Sequence, residues 1–208
     1  MNIVFATTNK RKIEDLSEII QENNLDIQIL TLNDIDFHEE IEETGTTLEE
    51  NSLIKAHKVY TYCRKNNLNY PVLADDAGLF IDALNGEPGI YTARYAEKER
   101  KENPQLPKYQ NVIKVLDKLK GIKNRNATYR CIVTCMYPDG TYFQISGESR
   151  GKIADQMKEP IKKPYFYSVF CLENENRTFS QMKTEELKGT YRYQAMQKVL
   201  TRYFKHKN

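Results

Sequence analysis

Apolar and polar positions near the start of the chain predict a strand followed by a helix. Residues 2–6 form a short apolar run, which is typical of a buried strand. After a polar turn, Ile13, Leu16, Ile19 and Ile20 are spaced so that they lie on one helical face. This order of elements indicates an α/β protein.

The same alternation continues after this helix. A second strand is predicted at 26–32, and an acidic connector follows at 33–43. Two overlapping capping boxes at 46–50 then open a long helix that extends to about Asn66. The residues predicted to face the core are Leu48, Ser52, Ala56, Val59 and Cys63.

A pair of aspartates follows the next apolar run. Residues 71–74 predict a short buried strand, and Gly78 comes soon after Asp75 and Asp76, so the pair is expected where the strand enters a turn. A short strand is expected at 79–84. Two carboxylates in such a place would suit Mg²⁺, although a solvated turn is the alternative.

The second half of the chain predicts a charged loop, a helix, a β-hairpin and a final helix. The turn Pro138-Asp139-Gly140 separates the two strands of the hairpin. The predicted bounds are 97–108 for the loop, 112–119 for the helix, 128–137 and 142–146 for the hairpin strands, and about 191–204 for the last helix.

Composition narrows the class of protein. The 208 residues are enough for one large domain, and we expect a single unit at 1–208. The net charge of +2, from 31 basic and 29 acidic residues, gives no overall field for nucleic acid or an anionic membrane. No apolar run approaches the roughly 18 residues of a membrane span, and residues 1–10 do not show the basic region followed by a long apolar region that a signal peptide is expected to have. We therefore expect a soluble, cytoplasmic protein whose four cysteines are small hydrophobic residues.

The first predicted helix begins with three cations. Lys10, Arg11 and Lys12 lie where the helix dipole disfavours positive charge. Together with the free N–H groups and an Asn9 cap, they form a candidate phosphate site. An exposed basic turn is the alternative.

The stretch from Asp75 to Ala96 reads D-D-A-G-L-F-I-D-A-L-N-G-E-P-G-I-Y-T-A-R-Y-A. It resembles the signature of the inosine triphosphate pyrophosphatase family, the XTP/dITP diphosphatases, over some twenty positions in register. The resemblance implies an α/β protein with a long, partly mixed sheet flanked by helices, two lobes with the active site in the cleft between them, and a homodimer. It also implies Mg²⁺-dependent hydrolysis of an aberrant purine nucleoside triphosphate, such as ITP, dITP or XTP, to a monophosphate and pyrophosphate.

The resemblance also assigns roles to residues. In the family, a T-x-N-x-x-K segment binds the triphosphate, and Thr7, Asn9 and Lys12 match it, with Thr8, Lys10 and Arg11 in the same segment. The metal role falls on Glu42, with Glu43 as the fallback, and on Asp76. Lys55 matches a lysine beside the cleft, where it would meet a phosphate or remain solvated. Asp76 carries the base role in the family, but Asp75 stays open because a metal-bound carboxylate is a poor base.

Two base-reading motifs of the family are altered. Its G-F-G-Y-D-P is replaced around Tyr165, Phe166 and Tyr167, and its K-x-x-x-S-H-R keeps only Arg192, with Tyr191 in place of histidine. In a smaller change, Ala77 replaces the serine after the aspartates. The aromatic residues form either a stacking surface for a base or ordinary core packing. Two rival functions follow: a pyrophosphatase for another nucleotide, such as a pyrimidine or modified-base triphosphate, or a protein that binds nucleotide without hydrolysing it.

Overall fold

A computed structural model describes residues 1–205, with side chains described up to residue 204. Strands and α-helices alternate over residues 2–81, and beyond them elements of one kind also follow each other. The strands are β1 (Asn2–Phe5), β2 (Gln28–Leu30), β3 (Val72–Ile81), β4 (Pro88–Gly89), β5 (Asn126–Met136), β6 (Tyr142–Ile153) and β7 (Phe170–Leu172). The α-helices are α1 (Lys10–Glu22), α2 (Leu48–Lys65), α3 (Glu97–Glu102), α4 (Gln110–Lys118), α5 (Thr184–Leu187) and α6 (Tyr191–Lys205). Short 3-10 turns cover Asp82–Leu84, Tyr165–Ser168 and Phe179–Gln181.

The strands form one mixed sheet with the order β2-β1-β3-β5-β6-β7, and β4 pairs with β3. β1 is parallel to both β2 and β3, with Val4 opposite Leu30 and Val72. β4 is antiparallel to β3, and β7 is antiparallel to β6. The predicted α/β class, with a mixed sheet flanked by helices, is confirmed.

The chain divides into two compact units. Unit 1 contains residues 1–76, 131–147 and the C-terminal segment from residue 191, and unit 2 contains residues 77–130 and 148–190. The division falls within β3, β5 and β6, so each of these strands has residues in both units.

The core of unit 1 lies between the sheet and α2. Val4 of β1 and Val72 and Ala74 of β3 pack with Ala56 and Val59 of α2. All five residues predicted for the inner face of α2 are buried, so that prediction is confirmed. Thr47 caps the helix by accepting a hydrogen bond from the Glu50 backbone at 3.1 Å.

The core of unit 2 is rich in aromatic rings. The ring of Phe179 lies 5.1 Å from that of Tyr167 and 4.8 Å from that of Phe170, and both pairs meet edge to face. The ring of Tyr129 lies 4.9 Å from that of Phe170. Edge-to-face aromatic pairs add to the stabilisation gained by burying the rings.

Three predicted elements differ from the structure. The short strand expected at 79–84 is divided between β3, which ends at Ile81, and the 3-10 turn Asp82–Leu84. The strand predicted at 71–74 does not end before the aspartates, because β3 continues to Ile81 and includes both of them. Gly78, which suggested a turn, lies in the strand, where a Cβ atom would be 2.4 Å from the carbonyl oxygen of Gly89. The glycine therefore permits the close pairing of β3 with β4. The charged loop predicted at 97–108 contains helix α3.

The structure describes the environment of the four cysteines and the character of the helices. All four cysteines are buried and free of disulfides, as small hydrophobic residues are expected to be. Within residues 1–205, no helix has the length and apolar character needed to cross a membrane.

Candidate active site

Strand β3 presents its two aspartates to different helices. Asp75 and Asp76 are adjacent strand residues, so their side chains point to opposite faces of the sheet. Asp75 is 1% exposed and Asp76 is 8% exposed. Each carboxylate therefore depends on the cations of the helices that cover its own face.

Asp75 lies between the first and last helices. Its Oδ1 accepts a hydrogen bond from Nζ of Lys12 at 2.8 Å, and its Oδ2 accepts one from Nε of Arg192 at 3.2 Å. Sγ of Cys131 lies 3.8 Å from Oδ2. Helices α1 and α6, which supply the two cations, also contact each other.

These cations keep Asp75 ionised. Burial alone would raise the pKa of this carboxyl, but Lys12 and Arg192, with a further contribution from Lys55, hold the pKa well below its ordinary value of 3.8. Burial, reinforced by the Asp75 charge, raises the pKa of the neighbouring Cys131 thiol to about 12. The thiol is therefore protonated and unreactive at neutral pH.

Asp76 shares a lysine with a glutamate. Nζ of Lys55, on α2, donates to Oδ1 of Asp76 at 3.0 Å and to Oε1 of Glu43 at 2.9 Å. Oδ2 of Asp76 is buried and has no hydrogen-bond partner. Burial raises the pKa of Asp76 above its ordinary value, and this effect outweighs the opposing effect of Lys55. Asp76 thus has an unused oxygen and an increased proton affinity.

Lys55 remains a cation in this setting. Burial tends to lower its pKa, but the carboxylates of Asp76, Asp75 and Glu43 together raise the pKa above the ordinary value of 10.5. A buried hydrogen bond fixes the helix that carries it: Oγ of Ser52 donates to the carbonyl oxygen of Ala74 at 3.0 Å. Helix α2 is thereby tied to β3 immediately before the two aspartates.

The start of α1 has the predicted cap. Oδ1 of Asn9 accepts a hydrogen bond from the Arg11 backbone at 3.1 Å, and Oγ1 of Thr7 accepts one from the Asn9 backbone at 3.2 Å. No acidic residue lies in the first turn of the helix. Thr8, Asn9 and Lys10 are exposed, whereas Lys12 is directed to Asp75. The positive end of the helix is thus accessible to an anion.

The structure brings Glu43, and not Glu42, to the Asp76 cluster. Glu42 is exposed, whereas Glu43 is half-buried and bonded to Lys55. Among the residues that the structure describes, no group of three or more His, Cys, Asp or Glu side chains is arranged to hold a metal ion. Mg²⁺ commonly uses only one or two carboxylates and completes its shell with waters and phosphates. The unpartnered oxygen of Asp76 and the nearby Glu43 fit that requirement.

The aromatic residues predicted to read the base are mostly core residues. Phe166, Tyr167 and Tyr191 are buried at 2–7% exposure, and the Tyr167 ring packs on Phe179. A stacking platform needs an exposed ring face, so this burial favours the core-packing alternative, and a stacking role for these rings stays a prediction. Tyr165 is half-buried and meets Tyr109 edge to face at 6.2 Å. Ala77, half-buried in β3, follows the aspartates as expected.

Two features of the site had no clear signal in the sequence. The sequence predicts a role for Arg192 only in base recognition. Its hydrogen bond to Asp75 joins residues that are 117 positions apart. The buried hydrogen bond between Ser52 and Thr134, at 2.7 Å, likewise joins residues that are distant in the sequence. The available signal for this bond was the presence of hydroxyl side chains on faces predicted to be buried. Buried polar groups require hydrogen-bond partners, so each such hydroxyl predicts a partner nearby.

Comparison with known proteins places this chain in a family. The model of the Ham1 family matches residues 3–202. A Bacillus subtilis protein named dITP/XTP pyrophosphatase is 34% identical over 199 residues, covering 94% of this chain and 93% of that protein. One from Flavobacterium johnsoniae is 34% identical over 202 residues, covering 96% of each chain.

Solved structures agree with this match. The structure of the Staphylococcus aureus Ham1 protein is 29% identical, covers both chains completely and superposes with a TM-score of 0.80. A HAM1 protein from Coxiella burnetii gives a TM-score of 0.81 at 26% identity, covering 99% of each chain. The resemblance found in the sequence is confirmed, and the chain belongs to the Ham1 family.

Proposed function

We propose that this protein is a nucleoside triphosphate pyrophosphatase that cleaves its substrate to a nucleoside monophosphate and pyrophosphate. The names of its relatives, dITP/XTP pyrophosphatase, support this class of reaction. The observation that carries the proposal is Asp76, a buried carboxylate with one unpartnered oxygen and a raised pKa. These are the properties required of a general base or of a ligand to a divalent cation.

The phosphate chain is bound by cations of α1. The N-terminus of α1 supplies free N–H groups and the positive end of a 13-residue helix, with Lys10, Arg11 and Lys12 in its first turn. Thr7, Thr8 and Asn9 shape the loop that precedes it. Lys55 adds a further positive charge beside Asp76. Together these groups neutralise the charge of a triphosphate.

Glu43 is the residue that would hold Mg²⁺, which leaves Oδ2 of Asp76, the proposed base, for the proton of the water. When bound, the ion would withdraw charge from the phosphate oxygens and from the leaving pyrophosphate. Glu43 takes this role in place of the exposed Glu42, since Glu43 shares Lys55 with Asp76.

The proposed reaction is an in-line displacement at the α-phosphorus. Water forms a bond to the α-phosphorus as the bond to the bridging oxygen breaks, and the electron pair leaves with pyrophosphate. Asp76 accepts the proton of the water, because its Oδ2 has no other partner and its pKa is raised. Asp75 is unsuited to this step because two cations already occupy its oxygens.

An aberrant purine triphosphate, such as ITP, dITP or XTP, is the substrate that the family favours. A different base is the second candidate, because Lys163 to Ser168 and Tyr191 replace the family's base-reading motifs. We further expect, from the family, a cytoplasmic homodimer in which the 208 residues act as one domain with its active site in a cleft.

A nucleotide panel tests the proposal. Purified protein is given Mg²⁺ with ITP, dITP, XTP, the common purine triphosphates and pyrimidine triphosphates, and pyrophosphate and orthophosphate are measured. We expect pyrophosphate with an equal amount of monophosphate from at least one nucleotide, and nearly complete loss of turnover in Asp76→Asn. Glu148→Gln, which removes an exposed partner of Arg130, is the control and retains activity. Tight nucleotide binding without pyrophosphate release would instead show a non-hydrolysing binding protein.

A further inference from the structure

Both oxygens of the Asp75 carboxylate are engaged. Oδ1 accepts from Nζ of Lys12, and Oδ2 accepts from Nε of Arg192. The side chain is 1% exposed, so solvent water has no ready access to it. Asp76 differs because one of its oxygens has no partner. A carboxylate already committed to two charged donors has little capacity to accept the proton of an attacking water.

The two cations on Asp75 come from opposite ends of the sequence. Lys12 lies in the first turn of α1, and Arg192 is the second residue of α6. Arg192 is also oriented by Asp15 of α1, whose Oδ2 is 4.0 Å from its Nη1. The Asp75 carboxylate therefore sets the positions of one ammonium and one guanidinium group relative to the phosphate-binding end of α1.

We propose that Asp75 is a positioning residue that holds Lys12 and Arg192 as a fixed cationic pair for the anionic groups of the substrate and takes no part in proton transfer. The inference rests on the proposed function, since it names the roles of residues within that site. It also assigns the proton transfer to Asp76, whose Oδ2 has no hydrogen-bond partner, whereas both oxygens of Asp75 are bonded.

Fixed cations bind an anion better than mobile ones. A lysine side chain that is already oriented by a carboxylate loses less rotamer freedom when a phosphate binds. Without Asp75, Lys12 would regain that freedom, which weakens binding of the substrate. The hydrogen bond between Lys55 and the base Asp76 is left in place.

The test separates binding from chemistry. Wild type, Asp75→Asn, Lys12→Met and the double variant are compared by calorimetric titration with pyrophosphate, and KM and kcat are measured with the best nucleotide of the panel. We expect Asp75→Asn to weaken pyrophosphate binding and raise KM by about tenfold, with kcat within about threefold. Lys12→Met is expected to cost much less in the Asp75→Asn background than in wild type, because the two residues act as a unit. Glu148→Gln is the matched control for loss of a paired carboxylate.

Other outcomes would overturn the proposal. A large loss of kcat with unchanged pyrophosphate affinity would make Asp75 a catalytic residue. Tighter pyrophosphate binding would show that Asp75 merely competes with the substrate for the cations. If Asp75→Asn does not fold, Asp75→Glu and Arg192→Gln test the same pair, and unchanged KM in both would also overturn it. A wild type that releases no pyrophosphate from any nucleotide would refute the proposed function, while the calorimetric comparison would still report on Asp75.

Discussion

Asp75 and Asp76 have the same side chain and adjacent positions, yet their environments differ in kind. The strand turns the first towards Lys12 and Arg192 and the second towards Lys55. Two cations lower the pKa of Asp75, whereas burial raises the pKa of Asp76. Neighbouring carboxyl groups whose pKa values are shifted in opposite directions are typical of sites that divide binding and proton transfer between them.

The two glutamates before α2 allow a direct comparison at the residue scale. Glu43→Gln removes a carboxylate that shares Lys55 with Asp76, whereas Glu42→Gln alters an exposed side chain. We expect Glu43→Gln to raise the Mg²⁺ concentration needed for half-maximal activity on the order of 10- to 100-fold. Glu42→Gln serves as the matched control, with a change below about threefold. Titration of activity with Mg²⁺ measures both, and the reverse order would restore Glu42 as the metal ligand.

Lys55 gives a second prediction at this scale. Lys55→Met leaves the carboxylates of Glu43 and Asp76 without their shared cation, and removal of one partner from a buried ion pair costs about 3 kcal/mol of unfolding free energy. Added Mg²⁺ should restore part of this loss, because a divalent cation supplies the missing charge. Urea unfolding with and without Mg²⁺ measures both effects. Lys101→Met, which breaks an exposed pair with Glu97, should change little, and equal losses in the two variants would contradict the prediction.

At the scale of elements, the hydrophobic periodicity of the sequence was sufficient to predict an element that packs on one face only. The inner face of α2 was predicted residue by residue, because its apolar and small residues follow one helical stripe. The end of β3 was not predicted correctly. Gly78 permits the close pairing of β3 with β4, but a glycine soon after two aspartates is also typical of a turn. Helix α3 was missed because its six residues are all charged, with no residue buried to give an apolar stripe.

A close contact between β6 and α6 gives a prediction at this scale. A Cβ atom on Gly147 would lie 1.9 Å from the backbone oxygen of Tyr191, so Gly147→Ala must displace the first turn of α6, which carries Arg192. We expect a loss of about 1–3 kcal/mol in unfolding free energy and a weaker affinity for pyrophosphate. Gly151→Ala is the control, because its Cβ would lie 2.0 Å from the Cys171 carbonyl oxygen within unit 2. Gly151→Ala should lower the unfolding free energy by a similar amount but leave pyrophosphate affinity unchanged. If both variants lost pyrophosphate affinity to the same extent, the position of α6 would have no specific effect on phosphate binding.

For the whole molecule, the fold class could be predicted from the sequence and a candidate site around the two aspartates could be proposed from it, but the side-chain contacts within that candidate site could not be predicted. Local motifs identify Lys12, Lys55 and Asp76 because each belongs to a short segment with its own signature. The pairing of Lys12 and Arg192 on Asp75 depends on how α1, α6 and β3 assemble, and sequence spacing carries no information about it. Burial likewise decided that Phe166, Tyr167 and Tyr191 are core residues.

The Asp75 cluster links three distant segments of unit 1, so its charge should influence the stability of the folded protein in acid. The pKa of Asp75 is lower in the folded state than the ordinary 3.8, so its stabilising contribution is complete above pH 3.8 and is lost as the pH falls below it towards the depressed pKa. We expect Asp75→Asn to be less stable than wild type by about 3 kcal/mol at pH 7, because it removes the buried anion that Lys12 and Arg192 share. This difference should shrink as the pH falls below 3.8, because the unfolded wild-type chain then takes up a proton that Asp75 in the folded protein does not. Urea midpoints of both proteins from pH 7 to pH 3 measure it, with Glu148→Gln as the control for an exposed pair. A difference that stayed constant over this range would mean that the shape of Asp75, and not its charge, stabilises the fold.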